Sequence, residues 1–196
     1  WWLCSICTTI IPISDDGDDG CADTATQKIY VNPLPKANLK KYDNELCLNG
    51  NLFRFKSNST VSSGTINNQW EFGDDSTRNN MDSTTHSYLN PGTYNVKLRS
   101  VTLYGCKDSA TTSVIVRPNP VASWLINSNI QCKKPNLFNV QSTSTIASGT
   151  YTKSWNVGDG NTYGNLDSIK HSYVNEGNYG IKLILNSNYN CKDSIM

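Results

Sequence analysis

A fixed spacing of 85 residues organises this sequence. Cys21, Cys106 and Cys191 follow one another at this spacing, and the same distance separates Cys47 from Cys132. Self-similarity at one period, without gaps, is produced by duplication and predicts tandem copies of one fold. Other pairs recur at the same spacing: Trp70 and Trp155, Asp74 and Asp159, His86 and His171, Tyr94 and Tyr179.

The repeat predicts three units. Residues 1–33 match the C-terminal strands of a module, residues 34–118 form a complete module, and residues 119–196 form a module that lacks its last strand. A Pro-x-Pro pair stands at each predicted joint, at Pro33–Pro35 and at Pro118–Pro120. Proline lacks a main-chain donor and restricts its own backbone, so each pair predicts a short, stiff link.

Composition and periodicity predict an all-β fold. Only 17% of the residues are charged, and 37% are hydrophobic, so turn-forming and β-branched residues dominate. Apolar residues alternate with polar ones, as at Trp70 and Phe72, and this pattern predicts two packed antiparallel sheets. The net charge of +1 gives no reason to expect binding to nucleic acid or to an anionic membrane.

Three linked motifs identify a family. The segments 70–75 (WEFGDD), 86–88 (HSY) and 91–98 (PGTYNVKL) resemble the signature of the PKD domain, and the second copy repeats it. The departures are Asp75, Val157 and Glu176. The matching residues are Trp70, Gly73, Asp74, His86, Tyr88, Gly92 and Tyr94, with Trp155, Gly158, Asp159, His171, Tyr173, Gly177 and Tyr179 in the second copy.

The resemblance implies tandem immunoglobulin-like antiparallel β-sandwiches. It also implies a place in bacterial secreted or surface proteins, as a spacer, an adhesive element or an accessory module. Neighbouring PKD modules are then the expected partners. These are expectations about function that rest on fold, and a fold alone does not fix a function.

The cysteines predict disulfides. Each copy has the order Cys…Trp…Cys, which is like that of disulfide-pinned immunoglobulin sandwiches, so we predict bonds Cys47–Cys106 and Cys132–Cys191. A zinc or redox role for the lone C-x-x-C motif at residues 4–7 is disfavoured, because no second such pair or histidine accompanies it. Cys21 has Cys4, Cys7 or no residue of this sequence as its partner.

The sequence around the aspartates and histidines favours structural turns over metal-binding or catalytic roles. Gly73-Asp74-Asp75 and Gly158-Asp159-Gly160 are typical of tight turns in which the Asp side chain bonds the main chain. A calcium site is the alternative, although the usual Asp-rich loop is missing. No catalytic motif accompanies the two histidines. We therefore predict no enzymatic activity, no cofactor and no metal.

Asp followed by Ser or Thr recurs along the chain and resembles the acceptor pattern of a bacterial O-glycosylation system. The alternative is that these dipeptides are simply good turn formers. The candidate acceptors are Thr24, Ser76, Ser83, Ser109, Ser168 and Ser194.

Two other binding modes remain open. Trp124 could stack on a sugar ring, although the other copy has Leu39 at that position, so surface glycans stay an alternative partner. The missing last strand would leave an open sheet edge, and residues 24–31 carry a spare copy of that strand. Either the sequence is a section of a longer array, or this segment completes a neighbouring copy and builds a filament.

The sequence thus favours a non-enzymatic, extracellular structural or adhesive repeat protein of a bacterial surface or secreted assembly. An accessory or carbohydrate-binding module of a secreted hydrolase is the alternative function.

Overall fold

The computed structural model describes residues 28–196. Within them the regular elements are all β-strands. Numbered in chain order, they are β1 (Leu39–Lys41), β2 (Glu45–Cys47), β3 (Phe53–Ser57), β4 (Ile66–Glu71), β5 (Thr77–Asn79), β6 (Ser83–His86), β7 (Gly92–Thr102), β8 (Lys107–Arg117), β9 (Trp124–Ile126), β10 (Phe138–Ser142), β11 (Tyr151–Asn156), β12 (Thr162–Tyr163), β13 (Ser168–His171), β14 (Lys182–Ser187) and β15 (Lys192–Ile195).

The first module contains two sheets. One has three antiparallel strands in the order β1–β3–β6. The other has five strands in the order β2–β8–β7–β4–β5. In this second sheet β2 runs parallel to the end of β8, so that Cys47 lies beside Arg117.

Alternation along the strands builds the core of the first module. Because successive side chains point to opposite faces of a strand, Phe53 and Phe55 of β3 face Trp70 of β4 across the space between the sheets. Val96 and Leu98 of β7 are completely buried in the same cluster. Leu52 lies immediately before β3 and is half exposed.

The second module repeats this arrangement with a shorter edge. Its sheets have the orders β13–β10–β9 and β12–β11–β14–β15, and Trp155 and Leu183 lie in a separate core. β8 has eleven residues, whereas β15 has four. β7 begins at Gly92, but β14 begins only at Lys182, so residues 177–181 are not paired in a strand.

The predicted all-β fold of tandem immunoglobulin-like sandwiches is confirmed. The proposed boundaries at 34–118 and 119–196 remain predictions, although each range holds its own core. The predicted unit 1–33 lies largely outside the described residues. Its described part, residues 28–33, forms no strand, and Ile29, Tyr30 and Val31 are exposed.

Candidate functional site

An aspartate–histidine pair joins the two sheets of the first module. Asp74 lies in the turn after β4, and its carboxylate accepts hydrogen bonds from the main-chain N–H and the hydroxyl of Ser76. The same carboxylate is 2.8 Å from Nε2 of His86, at the end of β6 in the opposite sheet. The His86 ring stacks on Phe72 with 4.1 Å between centroids. The pair therefore fixes a turn of one sheet to a strand of the other.

Two tyrosines of the signature continue this cluster. The hydroxyl of Tyr88 donates to the carbonyl oxygen of Phe72 at 2.9 Å, in the interior. Its ring stacks on Tyr94 at 3.8 Å, and the Tyr94 hydroxyl donates to the carbonyl oxygen of Asn90. A Cβ on Gly92 would make ordinary contact with the Tyr94 ring at 3.6 Å. The polar atoms of both tyrosines are thus bonded to main chain.

The second module repeats the aspartate–histidine pair. Asp159 is 2.9 Å from Nε2 of His171, and Nδ1 of that ring is 2.9 Å from the hydroxyl of Tyr163. His171 is buried, with 8% of its surface exposed. Both ring nitrogens therefore have a partner within the protein.

The tyrosines of the second module also keep their partners. Tyr173 donates to the carbonyl oxygen of Val157 at 2.7 Å, and its ring stacks on Tyr179 at 3.8 Å. The Tyr179 hydroxyl donates to the carbonyl oxygen of Asn175. A Cβ on Gly177 would lie 3.6 Å from the Tyr179 ring. Every signature contact around the tyrosines is therefore made twice in the chain.

The environment shifts the pKa of these groups in two directions. Partial burial raises the pKa of Asp74, but the hydrogen bonds from Ser76 and His86 outweigh it, so the pKa lies below its ordinary value. The pKa of Asp159 is lowered chiefly by the main-chain N–H of Asn161. Burial raises the pKa of Tyr88 and of Tyr173 above that of a free tyrosine. The carboxylates therefore stay ionised and the tyrosines neutral at pH 7.

The signature tryptophans lie in the cores. Trp70 is fully buried, and its indole N–H donates to the carbonyl oxygen of Met81 at 2.8 Å. Trp155 donates in the same way to Leu166 at 3.0 Å. Each ring fills the space between the sheets and closes the loop eleven residues beyond it.

The signature glycines sit where the main chain comes too close for a side chain. Gly73 has φ +82°, and a Cβ there would lie 2.7 Å from the carbonyl oxygen of Asn95. Gly158 has φ +85°, and a Cβ would lie 2.8 Å from the carbonyl oxygen of Gly180. Both the backbone conformation and the close approach of neighbouring main chain require glycine.

An asparagine that the sequence reasoning missed anchors each module. The Asn51 side chain donates to the carbonyl oxygens of Leu48 and Tyr88 and accepts from the Tyr88 main-chain N–H. Asn136 makes the corresponding bonds to Tyr173. The signal was present, because these two asparagines are 85 residues apart and each precedes an apolar strand.

The disulfide differs from both predicted bonds. Cys47 of the first module is bonded to Cys191 of the second, 144 residues away in sequence. Within the described residues Cys106 and Cys132 have free thiols. The predicted pairings Cys47–Cys106 and Cys132–Cys191 are therefore replaced by one bond between modules.

The length of β8 explains the correction. Cys47 pairs in register with Arg117 at the end of β8, whereas Cys106 immediately precedes its first residue. At about 3.3 Å per residue, the eleven residues of β8 extend for roughly 36 Å. Disulfides need Cα atoms within about 7 Å of each other. The two cysteines of a module thus lie at opposite ends of the sandwich, so each can form a disulfide only with a cysteine of a neighbouring module.

Further contacts surround the disulfide at the joint. Asn119, between the two buried prolines of the link, accepts from the main-chain N–H of Asn49 and donates to the carbonyl oxygen of Lys192. It therefore bonds to both modules. Arg117 pairs with Glu45 at 2.7 Å, and its guanidinium lies 4.1 Å above the ring centroid of Tyr189 in the second module.

The motif Cys-x-Asp also has a role at each joint. Asp108 accepts from the main-chain N–H of Ala37 at 2.8 Å, and Asp193 accepts from Ala122 at 2.7 Å. Each aspartate thus holds the entering chain against its own module, two residues after the cysteine. This contact gives the aspartate of these Asp-Ser dipeptides a structural role, whether or not the serine is glycosylated.

The candidate glycosylation sites differ in exposure. Ser76 is half-buried, and its hydroxyl is engaged by Asp74 and His86, so a glycan there would displace the pair. Thr24 lies outside the described residues. The exposed acceptors are Ser83, Ser109, Ser168 and Ser194.

A cleft opens in the second module beside the unpaired residues 177–181. It has a volume of about 600 Å³, and its walls include Trp124, Phe138, Tyr179 and Cys132. The indole N–H of Trp124 is buried there without a hydrogen-bond partner. In the first module the corresponding space is filled by the second half of β8, whose Val114 and Val116 are buried.

The described part of the chain, residues 28–196, has no group of three or more His, Cys, Asp or Glu side chains arranged to hold a metal ion. It also has no helix long and apolar enough to cross a membrane.

The repeated cores and the end-to-end joint define a class of protein: tandem antiparallel β-sandwiches of immunoglobulin type. A sequence profile of the PKD domain matches residues 32–116 and again residues 117–195. The chain therefore belongs to the PKD domain family. PKD domains are non-catalytic modules and occur in extracellular bacterial proteins.

Solved structures with a similar fold include other PKD domains. The PKD1 domain of the Vibrio cholerae metalloprotease PrtV is 25% identical, with 42% of this chain and 96% of that chain covered and a TM-score of 0.37. The PKD1 domain of Vibrio anguillarum Epp is 22% identical, covering 44% and 96%, with a TM-score of 0.38. A structure of carbohydrate-binding modules of the β-sandwich superfamily is 18% identical, covering 80% and 85%, with a TM-score of 0.42. The comparison with curated proteins found no match.

Proposed function

We propose that this chain is a non-enzymatic structural repeat, which serves as a spacer, adhesive or filament-forming element of a bacterial surface or secreted assembly. The observation that carries the proposal is the joint: Cys47–Cys191 links two separate cores end to end. A covalent bond between modules resists relative rotation and separation under load. Such reinforcement suits a protein whose task is to hold a distance.

The chemistry of the joint also supports an extracellular location. Disulfides persist in oxidising compartments and are rare in the reducing cytosol. The link itself adds stiffness, since both of its prolines are buried and Asn119 bonds to both modules. Burial of the link and the crosslink together restrict the joint more than either would alone.

Small-angle X-ray scattering of the full chain tests this function. We expect the oxidised monomer, isolated by size-exclusion chromatography, to behave as one extended particle with a narrow distribution of lengths. The monomer of the double variant Cys47→Ser/Cys191→Ser should give a broader distribution, because only the short link then restrains the joint. Cys106→Ser/Cys132→Ser is the matched control and should scatter like the unaltered monomer. Identical length distributions for both double variants would contradict the spacer role.

Strand addition is the proposed route to partners of this assembly. The cleft of the second module lies where the first module has the second half of β8, which carries Val114 and Val116. Residues 29–31 (Ile-Tyr-Val) match residues 114–116 of that strand in the repeat. These residues are exposed and unpaired. A strand from another copy would pair with residues 177–181 and cover the aromatic walls.

A labelled peptide with the sequence of residues 24–32 tests strand addition. We expect it to bind the full chain and to increase the protection of amides 177–181 from hydrogen exchange. The same peptide with Ile29 and Val31 replaced by Asp should not bind, because those side chains would enter the core. Equal binding of both peptides would contradict this partner.

A carbohydrate-binding accessory module is the second candidate function. The cleft supports it, because the side chains of Trp124, Phe138 and Tyr179 line it. Aromatic rings are suited to stacking on sugar rings. Binding on a glycan array that Trp124→Ala abolishes and that Tyr104→Ala preserves would favour this function over the spacer.

Glycosylation is part of the proposed extracellular function at the exposed serines 83, 109, 168 and 194. Intact mass spectrometry of the protein from its natural source tests it. We expect hexose-sized additions at these residues and none at Ser76. An unmodified mass would contradict the assignment and leave the Asp-Ser dipeptides with their structural contacts alone.

A further inference from the structure

The joint is built from two different ends. The first module contributes Cys47, together with Arg117 held by Glu45. The second module contributes Cys191 and Tyr189, at the turn between β14 and β15. The contact is thus heterologous, because the two modules contribute different surfaces to it.

Each module also has the end that it does not use at this joint. By the 85-residue spacing, Cys132 of the second module corresponds to Cys47, and Cys106 of the first module corresponds to Cys191. Tyr104 corresponds to Tyr189, which packs under Arg117. The outward end of each module therefore keeps the chemistry of the joint without its partner.

The cysteines and the tyrosine at the joint are less exposed than their counterparts at the outward ends of the modules. Cys191 is completely buried in its disulfide, whereas its counterpart Cys106 is only partly buried. Cys132 is exposed, whereas Cys47 is partly buried. Tyr104 is 68% exposed, and Tyr189 is partly covered. At the joint these positions are thus covered, and at the outward ends their counterparts are more exposed.

We infer that Cys132 and Cys106 are docking sites for further PKD modules of the same repeat, with each forming the disulfide that Cys47 and Cys191 form here. Cys132 takes the cysteine at the Cys191 position of a following module, and Cys106 takes the cysteine at the Cys47 position of a preceding one. This inference rests on the proposed structural function and gives it a covalent partner.

The bond formation balances with a disulfide oxidant such as oxidised glutathione. The Cys132 and Cys106 thiols lose two protons and two electrons as one S–S bond forms, and the oxidant is reduced to two thiols. Each module then carries two crosslinks, one to each neighbour. The result is a chain of modules with a continuous covalent reinforcement beside its main chain.

A second copy of the protein supplies both missing partners and makes the inference testable. The full chain is prepared with Cys4, Cys7 and Cys21 replaced by Ser, so that only the four module cysteines remain. In a glutathione redox buffer we expect a ladder of disulfide-linked oligomers, because a heterologous contact does not close. Peptide mapping should find Cys106 of one copy bonded to Cys132 of the next, with Cys47–Cys191 retained.

Two single variants in this background identify the bond. Cys106→Ser and Cys132→Ser should each remain monomeric when oxidised alone, and their mixture should yield a heterodimer and no larger species. Tyr104→Ala should slow the formation of the heterodimer, since the Tyr189 position contacts the neighbour. Homodimers of either single variant in comparable yield, or thiols that stay free in the mixture, would overturn the inference.

The outcome also separates this inference from the proposed function. If the two thiols stay free while the scattering still shows an extended particle stiffened by Cys47–Cys191, the docking sites are wrong and the spacer role stands. If Cys47–Cys191 is itself missing from the peptide map, the template for the outer bonds is lost and both ideas are wrong.

Discussion

Asp74 and its counterpart Asp159 each link the two sheets of their module through a hydrogen bond to one histidine. The Asp74 carboxylate is about a quarter exposed and bonds a histidine from the opposite sheet. A hydrogen bond to a charged group contributes about 1.5–3 kcal/mol when shielded and less at this exposure. The histidines thus have a structural explanation, and the contact resists acid only as long as the aspartate is ionised.

We expect Asp74→Asn to lower the free energy of unfolding of the first module by about 1 kcal/mol at pH 7. The pKa of Asp74 is depressed in the folded state, so its contribution is present above the unfolded pKa of about 3.9 and is lost as the pH falls through the folded pKa. Urea denaturation at pH 7 and at pH 2 should show the difference at pH 7 alone. Asp75→Asn, on the adjacent exposed residue, is the control, and an equal loss at both pH values would contradict the account.

Glycine substitutions test the close approach at the same turn. Gly73→Ala and Gly64→Ala both force alanine into a left-handed conformation, at about 1–2 kcal/mol each. Only Gly73→Ala also drives a Cβ against the Asn95 carbonyl oxygen, and such overpacking adds about 1–3 kcal/mol. In thermal unfolding, the melting temperature of Gly73→Ala should therefore be well below that of Gly64→Ala. Equal melting temperatures would show that the strand can move away.

At the scale of the element, strands and their inward faces could be predicted from the sequence, because period-two alternation directly reflects burial. The alternation at Trp70 and Phe72 predicts one buried face in this way, and both residues are fully buried. The anchor Asn51 was not predicted, since an asparagine before a strand is an ordinary turn residue. Its role depends on a carbonyl 37 residues away.

Asn51 should be among the most sensitive polar residues of the first module. Asn51→Ala leaves the Tyr88 main-chain N–H and C=O without partners in a buried place, and each unsatisfied group costs about 1–3 kcal/mol. We expect a loss of at least 2 kcal/mol in chemical denaturation and faster hydrogen exchange at the Tyr88 amide. Asn44→Ala, on an exposed residue, should change neither. Unaltered exchange at Tyr88 in Asn51→Ala would contradict the anchor role.

At the scale of the whole molecule, the cysteines could not be assigned from sequence order. The order Cys…Trp…Cys is equally compatible with a bond within one module and a bond between modules. What decides is the position of each cysteine along the long axis, and this follows from the eleven-residue length of β8 and the parallel register of β2. Neither property is visible in residue spacing.

The joint combines contacts that depend on one another. Beside the disulfide, the Arg117 guanidinium lies over Tyr189, and Asn119 bonds to both modules only while they remain adjacent. Contacts that share one geometry are not additive, so loss of the crosslink should weaken the others as well. The geometry of the joint therefore depends on a single covalent bond, Cys47–Cys191.

Peptide mapping of the oxidised full chain by mass spectrometry, without reduction, identifies this bond. We expect a crosslinked peptide that contains Cys47 and Cys191, which disappears on reduction and in Cys191→Ser. Peptides that join Cys47 to Cys106 and Cys132 to Cys191 would contradict it, because each module would then be closed on itself and the joint would have no covalent reinforcement.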